Sequence, residues 1–284
     1  MKLSQTRIAI VLAILVATSS GCGVVNRIRA KNQLNEAARA YREGRFVEAE
    51  QHSREAAQLD PGNKTAPMFI ARTIHAQYRP GVQTPENIAK AQEAIDAYQQ
   101  ILANNPKDEE AYKAVAYLYG SIKEDQKLRD WITARAASDS TAPEKRAEAY
   151  VVLASKDWDC SFKITELPTN KITTLDQATN KATVSYKKPK DQKEFEQAQM
   201  CVKKGLVEAE NAIKFDPNNE SAWSYKTNLL LEASKLAEMD GQAEQKAQYQ
   251  KEYEAALKRT TELSVANQKR KEEEEKKSGA PPKG

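Results

Sequence analysis

Few side chains in this sequence could carry out chemistry on a substrate. The 284 residues include two histidines, His52 and His75, and three cysteines. Neither histidine has a cysteine or a second histidine at the spacing that zinc sites use. The sequence also contains no glycine-rich phosphate loop and no Gly-x-Ser-x-Gly nucleophile motif. Paired carboxylates such as Glu109 and Glu110 are typical of a helix's first turn, where acids complement the dipole. The sequence therefore predicts no enzyme, no metal site and no cofactor.

The first cysteine, Cys22, follows a segment with the pattern of a secretory signal peptide. Lys2 and Arg7 supply a short positive region, and the ten residues Ile8–Ala17 are apolar. Small residues then lead to the cysteine, and the apolar run is too short for a comfortable membrane span. We therefore expect residues 1–21 to be a signal peptide.

Small residues directly before a cysteine resemble a bacterial lipoprotein signal, although Ser19 stands where that signal normally has an aliphatic residue. The resemblance implies a lipid on Cys22, with residues 22–31 as a lipid-anchored linker. It also implies a periplasm-facing place in the cell envelope. Gly23 favours the outer membrane, because an aspartate there would retain such a lipoprotein at the inner membrane. A cleaved soluble form and an uncleaved anchor extending to Val25 remain alternatives.

The other two cysteines, Cys160 and Cys201, are an even remainder in an oxidising compartment, which favours a disulfide. Closing a loop of roughly 40 residues would stabilise the fold by about 4 kcal/mol in the chain-entropy treatment. Two unpaired buried thiols are the alternative.

A recurring pair of short helices organises most of the chain. Gly44–Asn63 reads as a turn and a helix, with small or apolar residues every three or four positions and Pro61 as its stop. Similar stops occur at Pro106, Pro143 and Pro217. The second-helix pattern recurs at Glu93–Asp108 and Val207–Asn219, and the first-helix pattern at Glu109–Ala116, Ala147–Ala154 and Glu220–Thr227. The spacings fit a unit of about 34 to 37 residues with two insertions.

This pattern resembles tetratricopeptide repeats, which combine an early aromatic residue, small residues at helix crossings and a closing Asp-Pro. The resemblance covers residues 32–264 and implies an all-α fold. Its expected form is a right-handed solenoid of about five helix–turn–helix repeats. We expect residues 265–284 to form a charged tail, a solvated helical extension that frays into disorder.

Two insertions interrupt the repeat. Residues 79–88 lengthen a turn of the second repeat, and residues 159–191 enlarge the fourth. Within the larger insertion, SFKITEL and ATVSYKK alternate polar and apolar residues, which predicts a small β-hairpin with its base near the two cysteines. A disordered polar loop is the alternative.

Tetratricopeptide proteins commonly bind partners in a concave groove lined by first helices. Carrying the repeat positions onto this chain predicts a groove of mixed cationic, aromatic and small polar side chains. It would suit an extended peptide with some acidic character. The predicted groove residues are Met68, Arg72, Lys113, Tyr117, Val151, Ser155, Ser224 and Asn228.

Some members of the family bind the carboxyl terminus of chaperones with lysine, asparagine and arginine side chains. The matching positions here hold Leu34, Ala38, Phe69, Glu110 and Ala114. The sequence therefore argues against that chemistry.

The leading hypothesis is a non-enzymatic, envelope-anchored scaffold for protein–protein interaction, in outer-membrane assembly, secretion or pilus-type machinery. One alternative is an enzyme, or enzyme subunit, with its residues in the 159–191 insertion; another is a structural cell-envelope spacer. The 44 basic and 40 acidic residues are interspersed, so we expect no nucleic-acid partner. Nothing in the sequence predicts an oligomeric state.

Overall fold

The computed structural model describes residues 3–176 and 181–278, and this part of the chain is almost entirely helical. It contains ten α-helices and one two-stranded antiparallel sheet, which confirms the all-α prediction with an inserted hairpin. The helices are α1 Leu3–Arg42, α2 Phe46–Leu59, α3 Ala66–Gln77, α4 Pro85–Asn104, α5 Glu109–Ser121, α6 Asp125–Ala137, α7 Pro143–Thr165, α8 Gln192–Phe215, α9 Glu220–Met239 and α10 Ala243–Ser278; the strands are β1 Lys171–Asp176 and β2 Lys181–Tyr186.

The helices fall into two compact units that divide between Leu128 and Arg129. In the first unit, α1 packs on α2, α2 on α3, and so on to α5. In the second unit, α7 packs on both α8 and α9, and α9 packs on α10. From α1 to α5 and from α7 to α10, consecutive helices are thus spatial neighbours, as the helix-pair repeat predicts.

The same closing turn recurs after three second helices, in the sequences DPGN, NPKD and DPNN. Before each proline, the backbone N–H of the capping residue donates to the carbonyl four residues earlier, at 2.8–3.0 Å. The last residue of each turn, Asn63, Asp108 or Asn219, accepts a 3.0 Å hydrogen bond from the backbone three residues later. One short motif therefore ends one helix and caps the next. Pro143, predicted as a fourth stop, instead occupies the first turn of α7, where a missing N–H costs nothing.

Small side chains fill the contacts between neighbouring helices. Ala49, Ser53 and Ala56 of α2 are completely buried, and the Ser53 hydroxyl donates to the Ala49 carbonyl at 2.7 Å. Alanine and serine at these positions let helix axes approach closely, because no long side chain separates them. Gly44, which turns α1 into α2, has a φ of +75°, a conformation that glycine adopts without strain.

A very close contact in the second unit lies at Gly205 of α8. A Cβ atom there would lie 2.6 Å from Cδ2 of Leu229 and 3.0 Å from Cβ of Asp157. Three helices, α7, α8 and α9, therefore meet at a position where only hydrogen fits. Beside it, the buried Asp157 carboxylate accepts two 2.9 Å hydrogen bonds from the Arg129 guanidinium, which compensates its burial.

The structure pairs Cys160 of α7 with Cys201 of α8. Their sulfur atoms are 2.10 Å apart and their Cα atoms 6.1 Å apart. The bridge joins the two helices that flank the inserted hairpin.

The inserted hairpin begins later in the chain than the sequence predicts. β2 coincides with the predicted ATVSYKK strand, but SFKITEL is largely helical, because α7 continues to Thr165. Its true partner is β1, which pairs Ile172 with Ser185 and Thr174 with Thr183. The prediction for the first strand was therefore wrong in position: helix propagation from α7 overrides the strand preference of these few residues.

A buried polar network underlies this hairpin. Glu232, only 1% exposed, accepts hydrogen bonds from Ser161 at 3.0 Å, Thr165 at 2.6 Å and Lys235 at 2.6 Å. Lys235 also donates to Glu166 at 2.7 Å. Every charged member of the network therefore has a partner of opposite charge, which burial requires.

Glu166 and Glu238 connect β1 and β2 to this network. Glu166 also accepts from Lys171 at 2.9 Å and from the Tyr186 hydroxyl at 3.1 Å. The Tyr186 backbone N–H donates to Glu238 of α9 at 2.9 Å. A two-stranded hairpin is marginally stable alone, so these contacts hold it on the helices.

Helix extends into the described residues at both ends of the chain. Residues 22–31, predicted as a linker, lie within α1, and Ala30 is buried against Ala56 and Ala66. Residues 265–278 of the predicted charged tail continue α10, and those from 268 to 277 are exposed; residues 279–284 lie outside the described residues. The side chain of Cys22 is also outside the described part. Over the part that is described, no helix combines the length and apolar character of a membrane span.

We expect Gly205→Ala to lower the free energy of unfolding of the second unit by about 1–3 kcal/mol, because the added methyl group overpacks the contact with Leu229. Urea denaturation followed by tryptophan fluorescence measures this, since all three tryptophans lie beyond residue 129. Lys203→Ala, at an exposed position of the same helix, is the control and should change stability by less than about 0.5 kcal/mol. Equal stability of Gly205→Ala and the parent would contradict the packing described.

The Glu166 network should make stability depend on pH. Burial disfavours the charged carboxylate, but hydrogen bonds from Lys235, Lys171 and Tyr186 outweigh it and lower the pKa from its ordinary 4.5 to about 2. The stabilisation is therefore complete above pH 4.5 and is lost as the pH falls towards 2. Glu166→Gln should be less stable than the parent at pH 6, by about 1–3 kcal/mol. In urea titrations that difference should shrink between pH 5 and pH 2.5. A difference independent of pH would show that the Glu166 charge is not stabilising.

Candidate functional site

The four predicted groove residues of the first unit lie on two first helices, α3 and α5. Arg72 and Lys113 are exposed, Met68 is half-buried, and Tyr117 is 52% exposed. Arg72 of α3 makes two hydrogen bonds to the Glu110 carboxylate of α5, each 2.5 Å. The two first helices are therefore linked directly across this face.

The four predicted groove residues of the second unit are less accessible. Val151 and Ser155 lie on α7, Ser224 and Asn228 lie on α9, and all four are half-buried. The Ser155 hydroxyl donates to the Val152 carbonyl of its own helix at 2.8 Å. Only the first unit thus combines exposed aromatic and charged groove residues.

Beside Arg72 lies a concave, largely aromatic surface that the sequence did not predict. It encloses about 280 Å³ and is built by α1, α3, the loop after α3 and α4. We call it the aromatic basin. It is lined by Tyr41, Arg72, His75, Ala76, Tyr78, Pro80 and Tyr98.

The histidine ring stands between two tyrosine rings. His75 meets Tyr98 edge-on at a centroid distance of 5.9 Å, and Tyr117 at 5.7 Å. The His75 Nδ1 and the Tyr98 hydroxyl are 3.4 Å apart. Burial lowers the pKa of His75, so the imidazole is neutral at pH 7. His75 therefore belongs to the wall of the basin.

Two tyrosines form the buried part of the basin. Tyr98 is 2% exposed and Tyr78 is 5% exposed. Burial raises the pKa of both phenols, and the Glu110 carboxylate further raises that of Tyr98. The Tyr78 hydroxyl is buried without a hydrogen-bond partner of normal geometry, although Ser121 lies close enough to lower its pKa in part. A buried donor without an acceptor is uncommon in folded proteins.

The ionic pair at the rim changes what the basin can attract. The Glu110 carboxylate raises the pKa of Arg72 through its hydrogen bonds, and burial only partly opposes this. Both side chains are nearly half exposed, at 44% and 48%, so the pair contributes little to stability. Together they carry no net charge. The basin is therefore aromatic and close to neutral, whereas the predicted groove combined cationic, aromatic and small polar side chains.

The described side chains provide no grouping of three or more histidine, cysteine, aspartate or glutamate residues that could hold a metal ion. The other histidine, His52, lies on α2, and its Nδ1 atom is 2.6 Å from the side-chain oxygen of Gln33. The absence of catalytic activity stays a prediction from the sequence.

Neither a protein-family model nor a curated protein sequence matches this chain. Three solved structures to which it is similar come from different organisms. MamA from Desulfovibrio magneticus RS-1, from residue 41 to its end, is 14% identical with a TM-score of 0.41, over 84% of this chain and 96% of that one. A tetratricopeptide repeat protein from Parabacteroides merdae ATCC 43184 is 14% identical with a TM-score of 0.34, over 84% and 99%.

The third structure is the TPR2AB domain of yeast Sti1 in complex with pHSP90. It is 13% identical with a TM-score of 0.29, over 82% of this chain and 98% of that one. TM-scores below 0.5 carry no argument about function. The description of the fold rests on this chain's own helix pairs.

The basin was missed because four separate segments build it. Tyr41 lies near the end of α1, His75 near the end of α3, Tyr78 directly after α3, and Tyr98 in the second half of α4. Helical periodicity predicts which residues of one helix share a face with Tyr98, but not which other helices that face meets. The available signal was the concentration of aromatic residues near the ends of first helices.

Proposed function

We propose that this protein is a non-enzymatic scaffold that binds a protein partner through the first-helix face of its first unit. The observation that carries the proposal is the aromatic basin, with Arg72 and Tyr117 exposed at its edge. Tyrosine and arginine beside a concave apolar pocket are the side chains that most often dominate binding energy at interfaces. The second unit offers only half-buried residues at the corresponding positions.

Several features favour binding over catalysis. The basin's histidine is neutral at pH 7, and the groups in ring contact with it are two tyrosines. The Arg72 and Glu110 side chains neutralise each other and so present no activated acid or base. A neutral histidine can act as a base, but the lining of the basin holds no serine, threonine or cysteine that it could activate as a nucleophile.

We further propose that the protein is anchored in a bacterial cell envelope by a lipid on Cys22, facing the periplasm and favouring the outer membrane. The signal-like residues before Cys22 support this, and a Cys160–Cys201 bridge suits an oxidising compartment. Assembly, secretion or pilus-type machinery of the envelope is the setting in which such a scaffold would act.

Partner binding is tested by using the parent and variant chains as bait in detergent-solubilised envelopes. The amount of one and the same partner protein that each chain recovers is then compared. Tyr117→Ala and Arg72→Glu should each reduce recovery about tenfold or more, because they remove an aromatic anchor or place two like charges together. Arg54→Glu is the matched control, since Arg54 is equally exposed and also paired with glutamates, Glu50 and Glu93, but lies on α2. Equal recovery with all variants would contradict the assignment. Circular dichroism should show that every variant is folded.

Lipid anchoring is tested by mass spectrometry of the N-terminal peptide of the mature protein. We expect a peptide that begins at Cys22 and carries acyl chains, and we expect Cys22→Ser to leave the protein unprocessed. An unmodified Cys22 in protein isolated from membranes would rule out the lipid. An intact N-terminal segment in that protein would instead support the uncleaved anchor.

A further inference from the structure

We propose that the aromatic basin binds an extended, proline-containing segment of the partner. This inference rests on the protein-binding function proposed above and specifies the chemistry that the site recognises. Three properties of the basin support it: the shape of its aromatic surface, its unused hydrogen-bond donor and its lack of net charge.

The shape favours an extended chain. A cavity of about 280 Å³ accepts one or two side chains and is too small for a helix about 10 Å across. Its walls are rings: Tyr41 is 38% exposed, and Tyr117 continues the aromatic surface through its contact with His75. Proline rings pack flat on aromatic side chains, and a polyproline II segment loses little entropy on binding because it is already extended.

The hydrogen-bonding groups also favour proline. Tyr78 lines the basin, and its buried hydroxyl makes no hydrogen bond of normal geometry, so it has a hydrogen bond left to donate to a ligand that enters the basin. Proline residues have a carbonyl acceptor but no N–H donor. A proline-containing segment can therefore accept from Tyr78 without bringing backbone N–H groups that would need acceptors in an aromatic pocket.

The charge balance disfavours an acidic peptide relative to a neutral one, although the groove positions alone predicted a peptide with some acidic character. Arg72 is the cation of the lining, and both of its hydrogen bonds go to Glu110. An acidic ligand would have to compete with that carboxylate, whereas a neutral proline-containing segment leaves the pair intact.

The test uses the full-length chain in detergent and three fluorescein-labelled nine-residue peptides. One peptide contains two Pro-Pro pairs separated by alanine, the second has alanine at every proline position, and the third has glutamate there. Fluorescence polarisation should show the proline peptide binding about tenfold more tightly than either of the others. Tyr41→Ala and Tyr117→Ala should each weaken its binding about tenfold, the loss expected for one aromatic contact.

Tyr78→Phe gives the sharper result, because it removes only a hydroxyl that makes no hydrogen bond of normal geometry within the protein. It should leave thermal stability unchanged and weaken proline-peptide binding about three- to tenfold. Arg54→Glu should bind as the parent does. Absence of binding, equal or tighter binding of the alanine or acidic peptide, or binding unaffected by Tyr78→Phe and Tyr117→Ala would overturn the inference.

Failure of this inference is distinguishable from failure of the proposed function. If partner recovery depends on Tyr117 but the proline peptide does not bind, the basin binds a partner of other chemistry and this inference is wrong. If Tyr117→Ala and Arg72→Glu leave partner recovery unchanged, the proposed function itself is wrong.

Discussion

The close approach of neighbouring helices over small side chains is the constraint on which the rest of this structure depends. In α2, Ala49, Ser53 and Ala56 are completely buried, and at Gly205 the space between three helices admits no methyl group. Dispersion contacts fall off steeply with distance, so this spacing determines how much apolar surface each pair buries. It also determines which side chains reach the first-helix face. The aromatic basin exists because α1, the end of α3 and α4 lie close enough for Tyr41, Tyr78 and Tyr98 to share one cavity.

Much of the fold could be predicted from the sequence, because its signals are local. The turn sequences DPGN, NPKD and DPNN carry both the stop of one helix and the cap of the next, and all three adopt the same hydrogen-bonding pattern. Pro143 has no such cap sequence after it and begins a helix. A proline alone marks a boundary without saying on which side of it the helix lies.

The errors arose where contacts distant in sequence decide the outcome. SFKITEL has strand-like alternation, yet it extends α7, because Ser161 and Thr165 hydrogen-bond to the buried Glu232 about 70 residues away. Arg72 and Glu110 were assigned correctly to their helices, but their pairing, and hence the neutrality of the basin, depends on how α3 and α5 meet. The candidate site was accordingly predicted in part: its rim residues were named, and its tyrosine floor was not.

The central claim is that a partner contacts the first-helix face of the first unit, and site-specific photo-crosslinking in intact cells tests it most directly. A photoreactive phenylalanine analogue replaces Tyr117 on that face in one variant, and Val47 in another. Val47 is 60% exposed on α2, so both probes are accessible to solvent. The account predicts a discrete adduct from position 117 that is absent or much weaker from position 47. The same adduct at equal yield from both positions, or an adduct from position 47 alone, would contradict it.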